Sequence, residues 1–425
     1  MRALAPYLLG VAITVVAAVV LLRLPEADLS VPFTYGGDVM FYLAVVKSLI
    51  EHGWYLHNDS LGMPFGADLH DFPMPDNFSY AVLKVMALVL RDPGLVVNLF
   101  FLLTFPLTTV AAFWALTRLP ISTGPALCCA LLYSFSNYHV NRSVNHLMYT
   151  AYFAVPLVLA LALRLSQATP RPRGVVAGLA ICIVTASTGG AYNTCFAVFV
   201  LGGAAVLRAL ESRSWRAAAA PLAFAAFTLL VMVANVLPTL LYRAEHGTVE
   251  VAQRITHDAE TFALKPAQLV LPICEHRVPA LADLRARYNA GPLHNENLDC
   301  TLGFVGAFGF VALLAWLLFG RAAQGPRTAA RRLWDHLSAF NALCLAVGTV
   351  GGLGALVALF VSPQIRGYNR ISTFLLFLSL CATALALERL AAAARGSLAG
   401  RWAVRAALAG LTVCLLYTSP SPRDS

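Results

Sequence analysis

Charge is scarce in this sequence: Asp, Glu, Lys and Arg make up 12% of its 425 residues, where soluble domains carry about a quarter. Hydrophobic residues reach 59% and the mean hydropathy is +0.71. A chain this poor in charge cannot clothe a water-soluble surface of its size, which excludes a soluble enzyme. Lysine is almost missing, with only Lys47, Lys84 and Lys265, so the positive charge is nearly all Arg. That hints at a GC-rich genome and at nothing mechanistic. There are nine cysteines but no Cys-x-x-Cys, which argues against a thiol metal site or a dithiol redox centre. Cys128, Cys129, Cys182, Cys195, Cys344, Cys381 and Cys414 lie inside apolar runs. Only Cys274 and Cys300 share a predicted external loop, where an oxidising compartment permits a disulfide; two free thiols are the alternative.

What is abundant is long apolar runs. Stretches of about 17 to 25 such residues read as membrane spans, and they predict an all-α polytopic membrane protein of about eleven transmembrane helices. The runs are Tyr7 to Leu24, Gly94 to Leu116, Gly124 to Tyr138, Leu147 to Leu163, Val175 to Ser187, Ala191 to Leu207, Pro221 to Leu241, Gly303 to Leu318, Leu337 to Val361, Ile371 to Leu387 and Ala403 to Leu416. The first has only Arg2 before it and no clear small-x-small cleavage site, so it reads as a span rather than a removed signal.

Orientation follows from arginine. With the N-terminus inside, Arg118, the Arg164–Arg171–Arg173 group, the Arg208–Arg213–Arg216 group, the group from Arg321 to Arg332 and the group from Arg389 to Arg401 all fall in cytoplasmic loops, as the positive-inside rule requires. The net charge of +9 is therefore topology and not a nucleic-acid footprint. Acids run the other way: apart from Asp424, all but Glu211, Asp335 and Glu388 lie in predicted external segments, with every histidine except His336. Acids contribute little to insertion, so their outward bias points to chemistry on the external face, or simply to two long polar loops there.

Those loops, roughly 25–92 and 242–302, interrupt a transmembrane domain spanning 1–416. In the first, Val39, Leu43, Val46 and Ile50 recur at helical spacing, which predicts an interfacial helix ended by Gly53. Tyr80 to Leu90 is too short to cross and reads as interfacial or re-entrant. The last residues, 417–425, break an apolar run abruptly and read as a non-native tail, with the true C-terminus beyond it.

Three patterns are suited to chemistry. Gly36-Gly37-Asp38 places a carboxylate just past the first span, where it can take a proton from an acceptor hydroxyl or bind a divalent cation that holds a phosphate; the alternative is a helix N-cap. Asp68, His70 and Asp71 lie in a Gly- and Pro-rich turn and can face one sugar or one cation, with Asp38, Asp68 and His70 as the candidate metal ligands and Mg or Mn as the cation. Arg366 and Arg370 occupy a short external loop against the orientation bias, where guanidinium groups suit a lipid phosphate. Glu296, with Tyr288, His294 and Asp299, precedes a span and can meet an acceptor. His139, Asn141, Arg142, Asn145 and His146, and the hairpin Ser187-Thr188-Gly189-Gly190 with Tyr192 and Asn193, lie in further external turns, where ordinary solvation and close packing are the plainer readings.

With these residues in hand the chain resembles the GT-C superfamily of integral-membrane glycosyltransferases. The likeness lies in a first span followed by a long external loop with an early Asp, interfacial helices, many further spans and a late external arginine. It implies a polyprenyl-phosphate sugar donor, a glycan, lipid or protein acceptor, a bilayer, no nucleic acid, and a bacterial inner membrane with the active face outward. By position it implies that Asp38 is catalytic and that Arg370 or Arg366 binds the donor phosphate. The paired-acid form of the family motif is absent, since Gly37 and Val39 flank Asp38. A transporter or flippase of a lipid-linked sugar is the rival; it ordinarily places charge in mid-membrane and repeats its halves, whereas these span interiors carry almost none and show no repeat. A non-catalytic assembly protein is the third reading.

Overall fold

The computed structural model describes residues 4–71, 74–247, 254–274, 276–291, 296–320 and 328–394, with two isolated positions beyond. Within these the chain is helical apart from one antiparallel pair, β1 (His57–Asn58) with β2 (Ala67–Asp68), and a single parallel bridge. Helix α1 (Ala5–Leu21) leads into the first loop, which folds into α2 (Val39–Glu51) and α3 (Asn77–Val89). Then come α4 (Pro93–Leu116), α5 (Thr123–Ser134), the short α6 (Asn137–Arg142) and α7 (Leu147–Thr150), α8 (Ala154–Gln167), α9 (Pro172–Ala186), α10 (Gly190–Ser212) and α11 (Ala219–His246). The second loop carries α12 (Thr256–Thr261), α13 (Pro266–Val270) and α14 (Pro279–Asn289), followed by α15 (Gly303–Phe319), α16 (Ala329–Gly348), α17 (Leu353–Phe360) and α18 (Ser372–Ala394).

Among the described residues, five helical stretches are long and apolar enough to cross a membrane: Pro93–Leu116, Val144–Gln167, Gly190–Ser212, Trp215–His246 and Tyr368–Ala394. Four shorter apolar helices accompany them: Ala5–Leu21, Asn77–Val89, Pro172–Ala186 and Gly303–Phe319. The molecule is an all-α polytopic membrane protein. The sequence expectation holds least well at Leu337 to Val361, read as one span. The helix begins earlier, at Ala329, and stops at Gly348; a turn with Gly351 at φ +69° precedes α17. The break has a cause in pairing, since Leu264 donates its N–H to the Gly348 carbonyl at 2.6 Å and accepts from Val350 N–H at 3.2 Å. A continuous helix would take both groups. The predicted last span and the tail fall almost wholly outside the described residues.

The first loop does build helices against the bundle. α2 buries Val39, Tyr42, Val45, Val46, Ser48 and Leu49, one face of a 3.6-residue repeat, and packs on α3 and α4. Its outer face carries the exposed Lys47–Glu51 pair. At the other end of the chain α18 is buried from Ser372 through Leu385 by α5, α8, α15 and α16. Among lipid tails such packing depends on small residues that let backbones approach. At Gly309 of α15, a Cβ would collide with the Ser379 carbonyl of α18.

Candidate functional site

Asp38 stands at the boundary of α2, exposed, with its backbone N–H donated to the Asn145 carbonyl at 3.2 Å. Gly37 before it holds φ +58°, and a Cβ there would meet the Asn145 side chain at 3.3 Å. The two glycines thus let the loop turn against Asn145 and present the aspartate. The carboxylate makes no capping bond to its own helix, unlike Asp92, which caps α4 by accepting Leu95 N–H at 2.7 Å. The N-cap reading of Asp38 therefore describes its position and not its side chain.

One turn along α2, Tyr42 is buried and lies in electrostatic reach of Asp38, Asp76 and Tyr149. Burial holds its phenol well above the ordinary range, so the hydroxyl stays neutral and able to donate. Asp76 is the residue that sequence reasoning missed. It occupies the N-cap position of α3 but makes no cap bond there; instead its carboxylate accepts the Gly190 N–H at 2.8 Å and a second N–H from Gly189. Both glycines have positive φ, +69° and +67°. That pair of left-handed residues aims successive N–H groups into one small nest at the start of α10, a conformation few other residues tolerate. Burial pushes the Asp76 carboxyl up to about 7, against the pull of the two N–H donors.

Beyond Asp76 stands Arg370, in the turn that leads into α18. It is 7% exposed, with its guanidinium carbon 3.9 Å from the Tyr149 ring centroid and 4.1 Å from that of Tyr192. The two rings meet edge to face at 5.7 Å. Gly367 leaves room for the cation: a Cβ there would sit 3.0 Å from the guanidinium carbon. Arg370, Tyr149 and Tyr192 thus pack as one cluster, and Tyr42 lies in electrostatic reach of Tyr149, Asp76 and Asp38.

The remaining sequence candidates lie elsewhere. Arg366 stacks on Phe262 at 4.6 Å, half-buried against the second loop. Asp68 is bonded to His57 Nδ1 at 2.8 Å and accepts from the Tyr242 hydroxyl at 3.4 Å. His57 also meets Asp59 at 2.7 Å, and the two carboxylates hold its imidazole above the usual range. His70 stacks on Tyr242 at 4.3 Å. Asp68, His57 and Asp59 therefore bond to one another, while His70 is held by stacking with its Nδ1 buried and unbonded, and Tyr242 ties the first loop to α11. The side chains of Asp71 and Glu296, and His294, lie outside the described residues. Among the described residues no three His, Cys, Asp or Glu side chains converge as metal ligands, so Asp38, Asp68 and His70 do not form a shared cation cage.

Neighbouring candidates are structural. His139 is fully buried, stacked on Phe105 at 3.8 Å and bonded to Thr104 at 2.9 Å. Arg142 is 1% exposed and pairs with Asp299 at 3.0 Å, joining α6 to the second loop. Cys274 and Cys300 are free thiols. The Ser187–Asn193 hairpin is as tight as expected, closed by Asn193 Nδ2 donating to the Thr188 carbonyl at 2.9 Å.

No protein-family model matches this chain. No curated protein matches it. Among solved structures its fold is similar to the archaeal oligosaccharyltransferase AglB from Archaeoglobus fulgidus in complex with an inhibitory peptide and a dolichol-phosphate, at 12% identity and TM-score 0.49, covering 97% of this chain and 56% of that one. It is similar also to the Archaeoglobus fulgidus oligosaccharyltransferase in complex with Zn and sulfate, at 13% identity, TM-score 0.47 and coverage of 96% and 53%. The apo form of that protein gives 13%, 0.48, and 98% and 55%. The chain spans a little over half the length of the proteins it is similar to.

Proposed function

We propose that the chain is a membrane glycosyltransferase that moves a sugar from a polyprenyl-phosphate donor to a glycan, lipid or protein acceptor at the outer face of a bacterial inner membrane, with the N-terminus in the cytoplasm. The observation that carries this reading is the clustering of an exposed carboxylate, Asp38, with a buried arginine, Arg370, through Tyr42 and Tyr149 at one end of the bundle. A base that meets water and a cation held at the membrane boundary are the two groups that transfer from a lipid phosphate needs.

In the step proposed, the Asp38 carboxylate takes the proton of the acceptor hydroxyl. That oxygen bonds to the anomeric carbon from the face opposite the lipid phosphate, and the bond from carbon to phosphate oxygen breaks. The electron pair leaves on the phosphate, where Arg370 stabilises it. Tyr149 and Tyr192 fix the guanidinium by stacking on it, so little rearrangement is needed as charge develops. Asp76 is a positioning residue: through Gly189 and Gly190 it anchors the start of α10, which carries Tyr192.

The test is consumption of a radiolabelled polyprenyl-phosphate sugar by the purified protein in liposomes with a panel of envelope glycans. Transfer of label to an acceptor is expected. Movement of the labelled lipid across the bilayer without transfer would overturn the reading in favour of a flippase.

A further inference from the structure

A large, mainly apolar cavity lies between α4, α8, α9 and α18, away from the Asp38 cluster. It has a volume of about 950 Å³, at the upper end of the usual range for ligand sites. Its walls come from α4, α8, α9 and α18, and are mainly apolar, with Phe377 and Cys381 of α18 among the wall residues. Tyr149 of the cluster and Arg164 at the cavity are fifteen residues apart on one helical stretch, about 22 Å along it at 1.5 Å per residue. The cavity thus lies toward the end of α8 that carries Arg164, and the Asp38 cluster lies beyond its other end.

Its lining includes four arginines, Arg118, Arg164, Arg171 and Arg173, and no acidic residue. All four are exposed. Arg118 stacks on Trp114 at 4.6 Å, an aromatic partner suited to the depth of lipid headgroups. Glu388, which follows Cys381 on α18, is turned to Ser122, whose N–H and hydroxyl it accepts. A second feature points the same way. α9 starts here, at Pro172, with no side chain capping its first N–H groups, so a 15-residue helix directs its positive end at the same place. Inward arginine bias alone explains cations at this face. It does not explain why they and an uncapped helix start surround an apolar cavity.

We propose that the cavity holds one anionic phospholipid, with its phosphate among Arg118, Arg164, Arg171 and Arg173 and an acyl chain along α8, α9 and α18. Charge complementarity selects the headgroup, and the apolar wall requires that the phosphate arrive on a lipid. The proposal is independent of the transfer reaction, because none of these residues belongs to the Asp38 cluster.

Native mass spectrometry of the full chain, delipidated and then offered phosphatidylglycerol or phosphatidylcholine with identical acyl chains, tests it. One phosphatidylglycerol should be retained per chain, with phosphatidylcholine retained about tenfold less or worse. The exposed double variant Arg171→Glu, Arg173→Glu should lose that preference, each basic side chain near a lipid phosphate being worth several-fold in affinity. Ala177→Trp, which fills the wall and leaves every arginine in place, should lose retention altogether. Equal retention of both lipids would overturn the proposal, as would undiminished selectivity in the double variant. So would displacement of the lipid by equimolar inorganic phosphate or glycerophosphate, which would mark a site for free phosphate. A photocrosslinker at Ala177 should label lipid; labelling of this chain's own residues after Ala394 would show that protein fills the cavity and would likewise overturn it.

Discussion

Arg370 and Tyr149 face each other with the guanidinium carbon 3.9 Å from the ring centroid, and Tyr192 closes the other approach at 4.1 Å. A buried cation in this setting is held by shape as much as by charge. Arg370→Lys keeps the charge but loses the planar group that stacks on both rings. Transfer is expected to fall by at least about tenfold, with a stability loss on the order of 1–2 kcal/mol for the lost cation–π contacts. Tyr149→Phe keeps a ring face and should stay within about 0.5 kcal/mol of wild type, since loss of a hydroxyl leaves the stacking in place. Melting curves in detergent beside turnover in liposomes check both; equal stability in Arg370→Lys would show that the stacking contributes nothing.

Asp38 is exposed and its side chain does not cap α2. Asp38→Asn removes the proposed proton acceptor without disturbing a capping bond of α2. The rate should fall by about 100- to 10,000-fold, the usual contribution of a general base. The variant should still fold and insert, since the backbone bond from Asp38 N–H to Asn145 is kept. Retained transfer would remove Asp38 from the reaction.

Asp76 predicts a pH dependence with a definite sign. Its carboxyl is pushed up from an ordinary 3.8 to about 7 by burial. Between those values the folded chain keeps a proton that the unfolded chain has released. The associated stability is fully present below pH 3.8, declines across the interval and is lost as pH rises through about 7. A shift of this size corresponds to a few kcal/mol, on the order of 1.4 per pH unit. Asp76→Asn, neutral at every pH, should flatten the slope of melting temperature against pH between 4 and 8. An unchanged slope would assign the titration to another group.

How much of this was legible in advance depends on the distance over which each residue acts. α2 could be read because its inward stripe is local, and Asp38 because it directly follows two glycines and a span. Asp76 could not, since Pro75-Asp76-Asn77 has every mark of a helix cap and its actual partner, Gly190, is 114 positions away. Tyr149 sits in an apolar run where an aromatic ring reads as core, and Tyr192 in a hairpin whose plainer reading is close packing; only the fold brings both onto Arg370. Arg366 and Arg370 share one loop and looked equivalent; the fold sends one to Phe262 and buries the other. The Asp68–His70 turn was read as a site because its residue types are those of ligands. Asp68 is taken up by His57 and Tyr242, across β1, β2 and α11, and His70 stacks on Tyr242, which no local pattern announces.

Arg142 and Asp299 are two charges at 3.0 Å, one of them only 1% exposed, that hold α6 to the second loop. Asn141 Nδ2 donates to the same carboxylate at 3.2 Å. Asp299→Asn keeps the shape but withdraws the negative charge nearest a buried guanidinium, for which losses of about 3–5 kcal/mol are typical. Arg142→Met with Asp299→Leu removes both charges and should recover most of that loss, because an apolar pair avoids the desolvation of either ion. Comparing the melting free energies of both single variants and the double gives a coupling energy, expected at 1 kcal/mol or more on the scale of about 0.5–3 for residues in contact. A coupling near zero would mean that α6 and the second loop are joined by their other contacts, among them Asn137 Nδ2 donating to the Leu298 carbonyl at 3.4 Å.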